Sequence, residues 1–308
     1  NMLMPNLIPN INNREISIDF PQKQCQFLIS FNNTIKSEIY HNSIMIDLLN
    51  KIMVPGKESR SISITQSLIL NMNKLKAEKE FISTVLNNSE NFIQHNHGRW
   101  NRYLASILAD KTGWRRKKVY QQVAVKALQT LVNNWRCAHG HLYHDGLFPS
   151  YAVWYFNGIW AWDSWKHAVA LAEFEPELAK NQIRAMFDYQ NAAGMIADCI
   201  YADSTENNWL NTKPPLAAWA VWEVYQKDND DTFLEELYPR LKKYHYWWYQ
   251  DRDHDKNGLC EYGATADKLV GAKWESGMDN AVRFDSAKMI QTREGAFSVD
   301  QESVDLNS

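Results

Sequence analysis

The sequence predicts a mainly α-helical protein in which helix pairs follow a shorter β region. Residues 1 to about 62 contain stretches, such as 14–20 and 25–31, in which apolar and polar side chains alternate. This period-two pattern is typical of half-buried strands. After Trp114, apolar residues instead recur at i, i+3 and i+4 between loops rich in Gly, Pro, Asp and Asn. Helix pairs joined by such loops suit a toroid or a solenoid, in which each unit buries its apolar face on its neighbours.

Three segments are expected along the chain. Residues 1–62 read as the C-terminal part of a β-sandwich, and residues 63–114 as a helical linker, because the apolar residues that follow Ser63 fit helical spacing. Residues 115–308 carry the helix pairs. The predicted helices in this last segment share apolar residues on one face; they are 117–134, 160–173, 176–192, 215–228 and 232–250.

Composition narrows the classes of partner. Of the 308 residues, 45% are hydrophobic and 22% charged, and the formal net charge of −3 provides no large positive field for nucleic acid or anionic lipid. No apolar run reaches the roughly 18–20 residues that cross a bilayer. We therefore expect neither a nucleic-acid nor a membrane partner. The four cysteines form no CxxC pair that would indicate zinc or a redox centre. The start of the sequence shows no signal peptide and reads as the interior of a domain.

The tryptophan content is the unusual feature of the composition. All 13 tryptophans lie between Trp100 and Trp274, and ten of them lie from Trp154 onward. Indole rings stack on the C–H faces of sugars, and their N–H groups donate to hydroxyls. A large helical core would also use tryptophan, so composition alone leaves both roles open.

The segment 273–285 carries the most informative pair of acids. Glu275 and Asp279 stand four residues apart beside Trp274, with Gly277 between them. Glycoside cleavage needs one carboxylic acid to protonate the leaving oxygen and a second carboxyl group to activate water or attack the sugar. A carboxyl group close to indole rings and away from bulk water has a raised pKa, which suits a general acid. Spacing alone fits solvated acids at a helix N-terminus somewhat better.

Two further segments place polar side chains among aromatic ones. Asp163 lies among three tryptophans, next to Trp162, where a loop enters a predicted helix. It either caps that helix or grips sugar hydroxyls beside stacking rings. Lys213 precedes Pro214 and Pro215, which start the next helix, and therefore lies on a loop.

An acidic loop follows the last predicted helix. Asp253, Asp255, Asn257 and Gly258 match the first half of the calcium-binding pattern D-x-[DN]-x-[DN]-G. Position 12 of the pattern is Ala264 where an EF-hand has Glu, so the loop is no EF-hand. Either a distant carboxylate completes a cation site or the loop is an Asx-rich turn.

Together, these segments resemble the catalytic domain of glycoside hydrolase family 63, particularly its bacterial α-glucosidase branch. The resemblance covers about residues 95–308. The related trehalases of family 37 share the W-D-S, Pro-Pro and E-S-G-x-D segments. The matching stretches are FNGIWAWDSWKHA (156–168), NTKPPLAAWAVW (211–222), DHDKNGLCEYGATADK (253–268), KWESGMDNAVRFD (273–285) and VDQESVDLN (299–307).

The resemblance implies an (α/α)₆ toroid preceded by a β-sandwich, and hydrolysis of α-glycosidic bonds with inversion. It assigns the general acid to Asp279. The positions that it implies for the sugar pocket are Trp162, Asp163, Lys213, Trp274 and Glu275. In the bacterial branch, a structural calcium ion is bound by the acidic loop and by the Glu of a Q-E-S segment. The corresponding ligands here are Asp253, Asp255, Asn257 and Glu302.

The sequence departs from the family pattern in one respect. The family's general base is a Glu far beyond the acid, whereas this sequence ends 29 residues after Asp279. We therefore expect an incomplete toroid whose parent is an inverting exo-α-glucosidase on short oligosaccharides. The alternatives are a non-catalytic sugar-binding protein that lacks the base, and a trehalase-like or α-mannosidic hydrolase. Bacterial relatives suggest the periplasm by analogy alone.

Overall fold

The computed structural model describes most of the chain, in two units. The described residues are 10–20, 25–40, 43–49, 56, 61–69, 71–109, 112–150, 152–279 and 281–304. The end of the last family segment, residues 305–307, lies outside them. Contacts divide the chain into Asn1–Asn101 and Arg102–Ser308. The segment boundary at 114 stays a prediction.

The N-terminal unit contains a four-stranded antiparallel sheet. Its strands are β1 (Asn10–Ile11), β2 (Glu15–Phe20), β3 (Cys25–Phe31) and β6 (Ile64–Ile69), in the order β1-β2-β3-β6; a separate hairpin pairs β4 (Ile35–Tyr40) with β5 (Ser43–Leu48). Ile16 and Phe31 are buried in one cluster, and Leu28 and Ile69 in another that includes Ile82 of the following helix. The strands predicted from period-two alternation are confirmed, whereas the β-sandwich stays a prediction.

The expected start of the helical linker at Ser63 is wrong. Residues Ile64–Ile69 form a strand that pairs with β3 along its full length, with Ile69 opposite Gln26. The segment is rich in Ile and Thr, and half its side chains turn to each face, so strand pairing overrides the weaker helical spacing. Helices begin only after it, at α1 (Leu75–Asn87) and α2 (Ser89–Ile107).

The C-terminal unit is helical, as the sequence predicts. Its helices are α3 (Lys118–Asn133), α4 (Ala161–Ala172), α5 (Pro176–Phe187), α6 (Ala217–Asp228), α7 (Asp231–Asp251) and α8 (Leu269–Glu275). Local signals fix several ends: Pro176 occupies the first turn of α5, Asn229 ends α6 in the left-handed conformation, and the Asp230 side chain accepts from the Phe233 N–H to cap α7. Five predicted helices are confirmed within a few residues, and the mainly α class with them.

One predicted helix is shorter than expected. Helix α5 ends at Phe187 and not at Ala192. Asn191 explains the stop, because its side-chain oxygen accepts hydrogen bonds from the N–H groups of Ala193, Gly194 and Met195 and so folds a tight turn. Gly194 has φ +115°, a conformation that favours glycine.

Helices α4 to α7 enclose one large apolar core. The Trp165 and Trp247 side chains are buried in it together with Phe187 and Phe233. Short strands lie at its edges; they are β7 (Trp135–Arg136), β8 (Gly146–Leu147), β9 (Ile159–Trp160), β10 (Cys199–Ile200), β11 (Gly263–Ala264), β12 (Met289–Arg293) and β13 (Ala296–Val299). The toroid stays a prediction. Among the described helices, none combines the length and apolar character needed to cross a bilayer.

Candidate active site

Lys213 lies at the centre of the group of predicted site residues. It is on the loop before α6, as expected, and only 7% of it is exposed. Its Nζ donates to the Trp274 carbonyl at 2.6 Å and lies 3.4 Å from Asp198 Oδ1 and 3.6 Å from Asp279 Oδ1. The ammonium group therefore joins a buried acid, an exposed acid and the backbone of α8.

Asp279 lies at the end of a tight turn that follows α8. Its backbone has φ +28°, and Gly277 has φ +71°. A non-glycine residue with positive φ persists where the surrounding structure holds it, and such residues cluster at functional sites. The Asp279 side chain is 61% exposed. The expected enclosure of this carboxyl by indoles is therefore not present among the described residues, although Lys213 and the Trp274 backbone lie beside it.

Trp162 brings the start of α4 against this turn. A Cβ atom at Gly277 would lie 3.3 Å from the Trp162 ring and 3.4 Å from Pro214, so the glycine lets the turn pack closely on both. On Trp162, the Lys166 Nζ lies 3.4 Å from the ring centroid in a cation–π contact. Three sequence segments that are far apart in the chain thus meet around one indole.

Asp163 is in the first turn of α4 but is not its cap. The N-cap position is Trp160, which makes no side-chain capping bond. The capping alternative for Asp163 is therefore wrong. Its charge acts on its neighbours: burial lowers the pKa of His167, and Asp163 opposes that shift. Burial also lowers the pKa of Lys166, again against Asp163. A contact between Asp163 and sugar stays a prediction.

Glu275 lies beneath this surface and not on it. Its side chain is fully buried, and both carboxylate oxygens accept hydrogen bonds from protein donors, Arg252 among them. A buried carboxylate whose oxygens already accept hydrogen bonds from the protein has no free acceptor position for a sugar hydroxyl. The structure therefore corrects the expectation that Glu275 lines the sugar pocket. The motif could not show this burial, because the partner Arg252 lies outside the motif in the sequence.

Asp198 is a site residue that sequence reasoning missed. It is 4% exposed, its Oδ2 accepts from the Asn208 Nδ2 at 2.8 Å, and its carbonyl accepts from the Ala161 N–H at the start of α4. Burial raises the pKa of its carboxyl to about 6, and Lys213 and Asn208 oppose that rise. Its signal in the sequence is a single acid within the apolar run 195–200.

The acidic loop after α7 holds most of the expected calcium ligands. Asp253 is 4% exposed; its Oδ2 accepts from the Gly258 N–H at 3.1 Å, whereas its Oδ1 has no hydrogen-bond partner among the described residues. Asn257 donates through Nδ2 to Asp255 Oδ2 at 2.7 Å. A buried carboxylate oxygen without a donor is an atom that a hard cation would satisfy. The chemistry at Asp253 therefore fits calcium.

Glu302 lies in a separate exposed turn, Gln301–Ser303. In the described part of the chain, the sets of three metal-ligating side chains whose atoms lie within 4.8 Å of one another are His254, Asp255 and Glu261, and Glu177, Asp228 and Asp230. The expected set with Glu302 is not assembled in that part of the chain. Calcium stays a prediction.

The tryptophans divide between the core and the surface. Trp165, Trp247 and Trp248 are at most 5% exposed and belong to the core. In contrast, Trp274 at the site is 37% exposed and Trp222 of α6 is 54% exposed. The core role is therefore confirmed for three tryptophans. The sugar-binding role stays a prediction, for which the exposed rings are the ones available.

The similarity to known proteins covers the part of the chain that contains this site. The family described as "Mannosylglycerate hydrolase MGH1-like glycoside hydrolase domain" matches residues 155–305, which include Trp162, Lys213 and Asp279. The mannosylglycerate hydrolase of Thermus thermophilus is 28% identical over 52% of this chain and 40% of its own length. The glucosylglycerate hydrolase of Mycolicibacterium hassiacum is 25% identical over 46% of this chain and 37% of its own. The chain thus spans about 40% of the length of these two relatives.

Among solved structures, the family 63 mannosylglycerate hydrolase of Thermus thermophilus in complex with Tris is 27% identical. The similarity covers 53% of this chain and 39% of that one, with a TM-score of 0.42. The family match makes this part of the chain a glycoside hydrolase domain. The match supports membership of glycoside hydrolase family 63 for residues 155–305, in agreement with the resemblance carried by the motifs.

Proposed function

We propose that the protein hydrolyses α-glycosides of a small acidic aglycone, of the mannosylglycerate or glucosylglycerate type, with inversion and with Asp279 as the general acid. The observation that carries the proposal is the exposed Asp279 carboxyl 3.6 Å from the buried Lys213 ammonium group, on a turn that packs on Trp162 through Gly277. The related proteins named for mannosylglycerate and glucosylglycerate hydrolysis give the substrate class.

Two observations support Asp279 as the proton donor. Its carboxyl group is exposed, so a glycosidic oxygen can reach it, and it lies on the turn that contains Gly277. In an inverting enzyme, this acid protonates the leaving oxygen while a second carboxylate activates water on the opposite face of the sugar. Trp162 and Trp274 offer ring faces for the sugar, and Asp163 offers a carboxylate to its hydroxyls.

An acidic aglycone suits the cations of the site. Lys166 is exposed and lies over the Trp162 ring, and Lys213 lies beside Asp279. An ammonium group close to the leaving group can pair with the carboxylate of glycerate, whereas a neutral sugar leaving group has no charge to pair. This favours a glycosylglycerate over the short α-linked oligosaccharides that the α-glucosidase branch would suggest.

The proposal is tested by measuring hydrolysis of a panel of substrates by the full natural protein. We expect α-mannosylglycerate or α-glucosylglycerate to be cleaved with a kcat/KM at least about tenfold above that of the matching glycerate amide, which keeps the linkage and loses the charge. Maltose and trehalose serve as the neutral comparison. Faster cleavage of maltose or trehalose would refute the acidic aglycone, and absence of any hydrolysis would favour a sugar-binding protein.

We also propose that calcium, when bound, is structural. Asp253, Asp255, Asn257 and Glu302 would hold it, and the support for the proposal is the unpartnered buried Oδ1 of Asp253. The ion would supply a positive charge that ties the loop after α7 to the turn Gln301–Ser303. Proton transfer at the sugar would still belong to Asp279.

A further inference from the structure

We infer that Glu275 is a positioning residue whose buried carboxylate joins the chain segments beneath the site and thereby holds the turn that carries Asp279. The inference rests on the proposed function only in treating Asp279 as the acid. Glu275 and Asp279 stand four positions apart in the chain, so a fixed Glu275 fixes the base of the turn.

The Glu275 carboxylate is saturated by donors from three other segments. Oε1 accepts from Arg252 Nε at 2.5 Å and from the Gly263 N–H at 2.7 Å. Oε2 accepts from Arg252 Nη2 at 2.9 Å and from the Thr212 N–H at 3.0 Å. A carboxylate offers about four lone-pair positions, and these donors occupy that number. Its role is therefore internal to the protein.

Arg252 anchors one side of this arrangement to the end of α7. It is fully buried; its Nη1 donates to the Asp251 carbonyl at 3.2 Å, and its guanidinium lies 4.7 Å from the Trp247 ring centroid. The planar fork of arginine matches the two carboxylate oxygens, which fixes direction as well as distance. Since Trp247 belongs to the core, the core sets the position of Glu275.

Gly263 completes the anchor from β11. A Cβ atom there would lie 1.9 Å from the Phe297 carbonyl oxygen and 2.8 Å from Arg252 Nε. Only a glycine lets the backbone N–H approach Glu275 while β11 remains paired with β13. This close approach indicates that Gly263, Arg252 and Glu275 pack together as one unit.

The Lys213 loop is tied to the same unit by two bonds. The Thr212 N–H reaches Glu275, and Lys213 Nζ reaches the carbonyl of the neighbouring Trp274. Tyr244 of α7 adds support from below, because its hydroxyl bonds the Lys213 carbonyl and the Thr212 hydroxyl, each at 3.0 Å. These bonds tie the Lys213 loop to the end of α8, from which the turn with Asp279 begins.

Hydrogen exchange on Glu275→Gln tests the inference without any need for hydrolysis. Glutamine keeps the shape but replaces one acceptor by a donor, which faces Arg252 and either the Gly263 N–H or the Thr212 N–H. We expect the amide hydrogen-exchange rates of the 276–282 segment to rise by at least about tenfold relative to the wild type. Each protein is measured at the same number of degrees below its own Tm. The matched control is Lys180→Met, which breaks another buried ion pair, with Glu177, Asp228 and Asp230, away from the site.

Equal exchange of this segment in the Glu275 and Lys180 variants would overturn the inference. If Glu275→Gln does not fold, Arg252→Lys provides the same comparison, since it keeps the buried charge and loses the fork. In the active protein, we expect both site variants to lower kcat with KM within about twofold, and Lys180→Met to change neither. An inactive wild type would refute the proposed function and leave the exchange result intact.

Discussion

Replacement of Asp198 by Asn should change how the stability of the protein depends on pH. Asp198 is buried, and burial raises the pKa of its carboxyl from 3.8 to about 6. Between these values the folded chain holds the proton and the unfolded chain has lost it. The free energy of unfolding therefore falls as pH rises through this window. Tighter proton binding by this amount in the folded chain corresponds to about 3 kcal/mol.

The assay is urea unfolding of the wild type and Asp198→Asn between pH 4 and pH 7.5 at constant ionic strength. We expect the stability of the wild type relative to the variant to fall by about 3 kcal/mol between pH 4 and pH 6.5 and then to level off. Asp267→Asn, at an exposed position, controls for the loss of one negative charge. A difference that does not depend on pH, or that grows with pH, would refute this account of Asp198.

Two other perturbations test the framework of the site. Gly263→Ala should destabilise the protein by more than about 3 kcal/mol in urea unfolding, since its Cβ would meet the Phe297 carbonyl at 1.9 Å; Gly98→Ala, in open space on helix α2, should stabilise it by about 0.5–1 kcal/mol. Similar effects of the two variants would contradict the close approach at β11. Millimolar calcium should raise the Tm of the wild type and leave that of Asp253→Asn unchanged, and an equal rise in both would exclude the acidic loop as its site.

The helical half of the fold was predictable because its signals are local. Apolar spacing defines α3 to α7, and residues such as Pro176 and Asp230 mark their starts. The strand Ile64–Ile69 was not predictable, because its conformation depends on pairing with β3, more than 30 residues earlier in the chain. Helix α5 ended early because the side chain of Asn191 organises a turn, which periodicity does not register.

The sequence predicts which residues lie near the candidate site, but not which of them are buried. The motifs identify Trp162, Lys213 and Asp279, which the structure brings together. They do not show that Glu275 is buried, because that depends on Arg252, 23 residues earlier in the sequence, reaching the same place. Asp198 escaped notice since a lone acid in an apolar run carries no pattern; only its burial and its distance to Lys213 reveal it.

The most direct test of the account compares two leaving groups with Asp279→Asn. A glycerate leaving group needs a proton from the general acid, whereas fluoride in the corresponding α-glycosyl fluoride departs without one. We expect the variant to lose about 10²–10⁴-fold in kcat/KM on the glycosylglycerate and less than about tenfold on the fluoride. Equal losses on the two substrates, or near wild-type turnover of the glycosylglycerate, would contradict the assignment of Asp279.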